Sequence, residues 1–386
     1  MQGSQLKIGF VPLIDAAPLI AAFQLGYFRE EGLNVSLHRQ IGWANIRDKL
    51  SFGQLDAGHA LLGMPIASHL GRDSFNEPLI GILELGAGGN AITVRKELHD
   101  QGATSAAGLA SLMKSQPRFS RLIVGHVFSS SMHHYLLREW LASAGINPDW
   151  DVKMCIIPPP QMVDHMRGGY VDLFCVGEPW NTLATRQGHG VPIVATTDIL
   201  PRHPEKVLAV SRRFAKGKSE LLAMLVRATL RGCQWCENGE NRQRLAEMLS
   251  RPEYVSQPQD LLEQSLSIDS TFGSSKQQKN ARPRNWSLRS FSVQETFPNK
   301  MHAAWMLAQM VRWGHLQAGA DIAGIAERCI DTQPYREAAA TLGLECPAED
   351  FQPMTLRHGR SFGLDDLNAT LRGVESLSGR SAVSVL

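Results

Sequence analysis

Strand and helix signals alternate from the first residues onward, and that alternation restricts the fold more than any other feature of the chain. Residues 6–11 read as a buried strand, 16–27 as an apolar helix, 33–38 as a strand, 43–52 as a helix and 55–60 as a strand, with Gly, Asp or Pro at the breaks. Repeated strand–helix–strand units of this kind build a mainly parallel sheet covered by helices. A second series begins near Gly108, with strands expected over 121–126, 151–157, 171–176 and 191–196 and helices over 131–144, 161–167 and 179–187. Two extended stretches, 91–94 and 207–210, lie between the blocks. They are the natural places for the chain to pass out to a second lobe and back, with the lobes hinged about them.

This predicts an α/β protein of two lobes, the first from residues 1–92 and 205–386 and the second from residues 93–204. After the return the pattern turns helical, over 219–238, 241–249, 258–266 and 300–315, and this block is expected to pack back on the first lobe. The Ser-, Gln-, Lys- and Arg-rich stretch 273–299 reads as a surface excursion. The last 30 residues or so read as polar and Gly/Ser-rich, and partly disordered.

Composition removes several functions. With 39 Lys plus Arg against 37 Asp plus Glu, the formal charge is only +2, far from the basic excess of a nucleic-acid binder, so no direct contact with RNA or DNA is expected. Met1-Gln2-Gly3-Ser4-Gln5 leads straight into the first strand without a charged and apolar leader, and no later apolar run reaches membrane-spanning length. The expectation is a soluble, cytoplasmic protein with no membrane contact. Six scattered cysteines suggest reduced thiols rather than a disulfide framework. Cys233 and Cys236 have the spacing of a redox or zinc pair, but they sit within a helical pattern and lack a second pair of ligands, so helix packing explains them better.

The chemistry is sought where strands run into helices, because unpaired N–H groups at helix starts attract anions. Asp15 precedes a helix carrying Pro18 and suits a cap. Trp43 follows Gly42 at a helix start, where its indole either donates to an anion, walls a pocket or simply packs. Gly88-Gly89-Asn90 offers close backbone approach and an amide. Ser129 to His134 offers hydroxyls and imidazoles before a helix, although His133 alone would more often be structural. Cys175-Val176-Gly177-Glu178-Pro179-Trp180 places a glycine at a strand end. Lys206, just before the return stretch, would put one fixed positive charge at the hinge, against the default of a surface lysine.

The segments GFVPLIDAAPLI, GWANIRDKL, PPPQM, CVGEPWN and HPEK together resemble the nitrate-binding proteins of bacterial ABC transporters, collinearly from about Leu6 to about Arg357. Within that group the chain is most similar to the NasS-type nitrate sensors, which lack an export signal and lipoprotein cysteine. The resemblance implies a two-lobed, periplasmic-binding-protein-like (type II) fold with two crossovers. It also implies nitrate or nitrite contacts at Trp43, His133, Gly177 and Lys206, and at Asn90, where the transport proteins have Gln. Lys206 stands where bicarbonate-binding relatives carry an acidic residue and use calcium, so no metal and no cofactor are expected. The implied partner is a NasT-like antiterminator, which would do the RNA binding in nitrate assimilation control.

The alternative is a substrate-binding component of a nitrate ABC transporter. Catalysis is not expected: Cys175 and His133 lack a third orienting group, and no phosphate loop, HExxH helix or spaced metal cluster is present. One ammonium surrounded by neutral donors balances a planar monovalent anion without burying excess charge.

Overall fold

A computed structural model describes residues 5–72, 77–267, 290–356 and 359–367. Ten strands are organised into two five-stranded sheets: β1 (Leu6–Phe10), β2 (Val35–Arg39), β3 (Ala57–Leu61), β4 (Leu79–Glu84), β5 (Asn90–Arg95), β6 (Ile123–His126), β7 (Lys153–Ile156), β8 (Leu173–Gly177), β9 (Gly190–Ala195) and β10 (Lys206–Ser211). The orders are β2-β1-β3-β10-β4 and β7-β6-β8-β5-β9. The chain therefore leaves the first sheet after β4 and returns to it at β10.

The expected crossovers at 91–94 and 207–210 lie inside β5 and β10. The lobe divide drawn between residues 92 and 93 accordingly falls within β5, all of which pairs in the second sheet. Both sheets are mixed. β10 runs antiparallel to β3 and β4, and β5 antiparallel to β8 and β9, while β1 is parallel to β2 and β3 and β6 is parallel to β7 and β8. A strand arriving from the other lobe is not a βαβ crossover, so nothing forces it to run with its neighbours.

β10 is buried along its whole length, as its unbroken apolar run Val207-Leu208-Ala209-Val210 requires of a strand covered on both faces. The helix Trp43–Ser51 buries Trp43, Ile46 and Leu50, positions three and four apart on one stripe. Helix Ser219–Glu237 buries Leu222, Leu225, Val226, Leu230, Cys233 and Cys236 in the same way. Cys233 and Cys236 are thus part of a packing face, and burial pushes both thiols well up, against thiolate chemistry. The close approach of this helix to helix Ala17–Gln24 depends on Gly232, where a Cβ would lie 2.2 Å from the Pro18 carbonyl oxygen.

Helix Gly63–His69 and strand β4 escaped the sequence pattern. Six of the helix's seven residues are buried, so it has no polar face to produce a period. The C-terminal helices do pack on the first lobe, but Lys300–Arg312 also reaches the second. The buried Arg312 guanidinium pairs with buried Glu139, Arg138 lies 4.6 Å from the Trp313 ring centroid, and the Tyr135 hydroxyl is 3.1 Å from His315 Nδ1. Of the expected excursion 273–299, residues 273–289 lie outside the described residues, as do 368–386 of the expected disordered end. Ser290, by contrast, bridges to Ala87, and Phe291 and Phe297 are buried.

Candidate anion site between the lobes

The five residues expected at the site come from both lobes, and the fold brings them into one buried cluster. Lys206 opens β10 and is fully buried; its Nζ lies 2.6 Å from Glu205 Oε2 and 2.7 Å from Asp15 Oδ2. Trp43, the first residue of its helix, is 2% exposed; Lys206 Nζ stands 5.7 Å from its ring centroid, and its indole Nε1 is buried with no hydrogen-bond partner.

Asn90 opens β5 directly opposite Gly177, which closes β8. Both polar atoms of the Asn90 amide are buried without a hydrogen-bond partner. A Cβ on Gly177 would lie 3.1 Å from Asn90 Oδ1, 3.3 Å from Leu13 and 3.6 Å from Asp15 Oδ2, so only glycine keeps this corner open without pushing its neighbours. His133 is the second residue of helix Met132–Ala142, whose start is fixed by the Ser131 hydroxyl accepting from His134 N–H at 3.1 Å. Both ring nitrogens of His133 lack hydrogen-bond partners, and its Nδ1 lies 3.5 Å from Glu205 Oε2. Buried polar groups are almost always satisfied, so this concentration of unused N–H groups at one lobe boundary marks a place built to receive acceptors.

Two expectations are corrected here. Asp15 is not a helix cap: the helix Ala17–Gln24 has Ala16 at its N-cap with no side-chain bond, and Asp15 turns inward to Lys206 and His59. Nor is Lys206 a lone ammonium among neutral donors, since two carboxylates flank it. The physical reason is burial. An ammonium removed from water needs a fixed counter-charge, and Asp15 and Glu205 supply it within one hydrogen-bond length.

Sequence reading passed over His59 and left Glu205 as a letter in a motif. His59 sits in the middle of the fully buried β3, 3.1 Å from Asp15 Oδ1 and with its ring 5.1 Å from that of Trp43. A histidine amid Ala57-Gly58 and Ala60-Leu61 was the available signal, because a polar side chain in an apolar central strand needs a partner. Val11 N–H reaches His59 Nδ1 at 3.4 Å, which leaves Nε2 as the protonated nitrogen facing Asp15.

Burial pushes the His133 imidazole down to about 3, outweighing the opposing pull of Glu205, so its ring is neutral at physiological pH. Burial would raise the Glu205 carboxyl, but the Lys206 ammonium, with the His133 and His203 rings also facing it, holds it below the ordinary carboxylate value. Glu178, beside Gly177, is pushed up to about 7 by burial, although its carboxylate accepts from Thr182 N–H at 3.1 Å. Cys175 lies buried in β8 with its thiol pushed far up by burial, which removes the nucleophile from the imagined Cys175–His133 pair. Among the described residues no group of three or more His, Cys, Asp or Glu is placed to hold a metal ion, and no helix is long and apolar enough to cross a membrane.

The lobes close tightly over this site. Ile14 N–H donates to the Glu178 carbonyl at 2.9 Å across the boundary. A Cβ on Gly63 would lie 2.1 Å from the Ser130 carbonyl oxygen. Only a glycine at the start of helix Gly63–His69 allows the two lobes to meet there.

Comparison with known proteins agrees with this architecture. The NMT1-like family profile matches residues 2–250. The nitrate import ATP-binding protein NrtC of Synechocystis is 32% identical over 364 residues, covering 94% of this chain and 54% of that protein. The chain spans about half the length of such transport ATP-binding relatives, which include bicarbonate transport proteins. The nitrate/nitrite binding protein NrtA of Synechococcus elongatus is 30% identical over 383 residues, covering 96% of this chain and 86% of that protein. The crystal structure of the periplasmic nitrate-binding protein NrtA from Synechocystis superposes with a TM-score of 0.87 at 27% identity, covering 96% and 98% of the two chains. With its two mixed sheets in the periplasmic-binding-protein arrangement and a buried polar cluster where they meet, this chain belongs to the NMT1-like family.

Proposed function

We propose that this protein binds nitrate or nitrite between its lobes and acts as a binding protein rather than an enzyme. The observation that carries the reading is the convergence of a buried ammonium with unused donors on Trp43, Asn90 and His133 at the lobe boundary. A planar monovalent anion matches that set, since it offers only acceptors and needs little desolvation. The names of the NrtA relatives support the same ligand.

We further infer a sensor: the anion shifts the closed population, and closure changes a surface read by a NasT-like RNA-binding antiterminator in the cytoplasm. The sequence resemblance to NasS-type sensors supports this. So do six free cysteines, four of them buried, a usage suited to a reducing compartment. The alternative, a substrate-binding component of a nitrate ABC transporter, is favoured by relatives named as transport proteins.

Calorimetric titration with nitrate, nitrite, sulfate, and bicarbonate with calcium tests the ligand; saturable heat with the first two alone is expected, and binding only of bicarbonate with calcium would overturn the assignment. Co-purification with the antiterminator in the presence and absence of nitrate separates the sensor from the transport receptor. A complex indifferent to the anion, or no complex, removes the sensor.

A further inference from the structure

The site contains a mismatch of donors and acceptors that a nitrate-binding role does not by itself resolve. His133 Nδ1 lies 3.5 Å from Glu205 Oε2, and a carboxylate can only accept, so this edge of the ring calls for a proton on Nδ1. The other edge, Nε2, is buried with no hydrogen-bond partner. Nitrate and nitrite also only accept. An imidazole placed between a carboxylate and an oxyanion satisfies both only when both nitrogens carry protons.

Charge points the same way. The titratable and charged groups around the His133 ring are Glu205 and Lys206 at the start of β10, His203 before them and Asp15 from the turn after β1. Cys175 on β8 faces the same carboxylate and ammonium, and His59 on β3 stands behind Asp15. Two carboxylates are set against one ammonium. A further negative charge in so buried a place is costly unless a positive one comes with it.

We infer that the anion enters together with a proton, which His133 takes up, so that the bound species is the anion held between the Lys206 ammonium and a His133 imidazolium backed by Glu205. This rests on the nitrate reading and adds its regulation: the affinity depends on pH. The imidazole is otherwise neutral because burial holds it down, so the proton must be acquired on binding. Its balance is simple. One proton passes from solvent or buffer to Nε2, no covalent bond to the anion changes, and the net charge of the site is unchanged because the proton offsets the charge of the anion.

Titration calorimetry of the full chain with sodium nitrate, in two buffers of unequal ionisation enthalpy that carry no sulfonate or phosphate group, counts the proton directly. Uptake approaching about one proton per nitrate at pH 6, and binding about tenfold tighter at pH 6 than at pH 8, is expected from linkage. Histidine ring NMR, assigned with His133→Gln, should move the His133 resonance to its protonated position on saturation with nitrate. Glu178 is the rival proton acceptor, so Glu178→Gln should retain the uptake.

Saturable binding with uptake below about 0.2 proton at both pH values overturns this inference while leaving the nitrate reading intact. Uptake that vanishes in Glu178→Gln, or an unmoved His133 resonance, also overturns it. Failure of nitrate to bind at either pH sinks both.

Discussion

Two places at the lobe boundary bury charge, and they are built to opposite ends. Where helix Lys300–Arg312 meets helix Met132–Ala142, Arg312 pairs with Glu139, Arg138 reaches Asp149 at 2.5 Å, and both guanidiniums stack near Trp313. Charge there is closed off by charge. In the anion cluster Lys206 is equally well paired, yet the indole, amide and imidazole around it keep donors unspent. The first arrangement matches each guanidinium with a carboxylate of the protein and serves to hold the lobes together. The second leaves donors for an acceptor to take, as the proposed binding role requires. Burial is common to both, and each leaves an indole N–H without a partner, Trp313 in the first and Trp43 in the second. The second differs in gathering its unspent groups, both atoms of the Asn90 amide among them, around one ammonium.

The largest test of this contrast is Lys206→Ala, which leaves Asp15 and Glu205 facing each other in a dry site. Chemical denaturation should show a loss of about 3 to 5 kcal/mol, as for other broken buried pairs. Nitrate binding should weaken by about 1.5 to 3 kcal/mol, the range for a charge-assisted hydrogen bond. Unchanged affinity would place the lysine outside the site.

Arg312→Ala should cost about 3 kcal/mol by stranding Glu139, whereas the double change Arg312→Met with Glu139→Gln should recover most of it. If the single and double variants are equally unstable, the fastening is packing rather than charge.

A comparable effect is expected from pH at Glu178. Its folded value of about 7 lies above the ordinary carboxyl value of 4.5, so its contribution is fully present below pH 4.5 and is lost as pH rises through 7. Glu178→Gln should therefore gain up to about 3 kcal/mol relative to the parent on going from pH 4.5 to pH 8. A difference that does not vary with pH would show the carboxyl to be ordinary. His126 gives the reverse sign, being held down to about 4 by burial: its contribution, present above pH 6.5, should fade as pH drops toward 4.

The smallest effect is expected at Asn90→Ala. This variant removes one neutral donor and should weaken nitrate by about 0.5 to 1.5 kcal/mol while leaving stability nearly unchanged, because the amide has no partner to lose. A loss of stability larger than the loss of affinity would mean that Asn90 is a framework residue.

Much of the molecule was legible before its structure. Strand and helix periods follow from local spacing, so β1, β3, β6, β8 and the helices Trp43–Ser51, Met132–Ala142 and Ser219–Glu237 fell where the pattern put them. The turns bearing Trp43, Asn90, His133, Gly177 and Lys206 were readable too, because strand ends and helix starts are local events. Helix Gly63–His69 was not, since a helix buried on nearly every side has no period to read.

Three things belong to the tertiary structure. One is the direction of β5 and β10 within their sheets, which depends on the lobe each strand arrives from. Another is the pairing of Lys206 with both Asp15 and Glu205. Asp15 is 191 positions away in the chain, and spacing along a sequence says nothing about which distant charge a buried ammonium will find. The last is the contact of helix Lys300–Arg312 with the second lobe as well as the first. The chain's own order determined which groups would stand at strand ends and helix starts. Only the folded packing of two lobes decided which of those groups would be satisfied by one another and which would be left facing an acceptor, because satisfaction of a buried polar atom is a property of its neighbours in space.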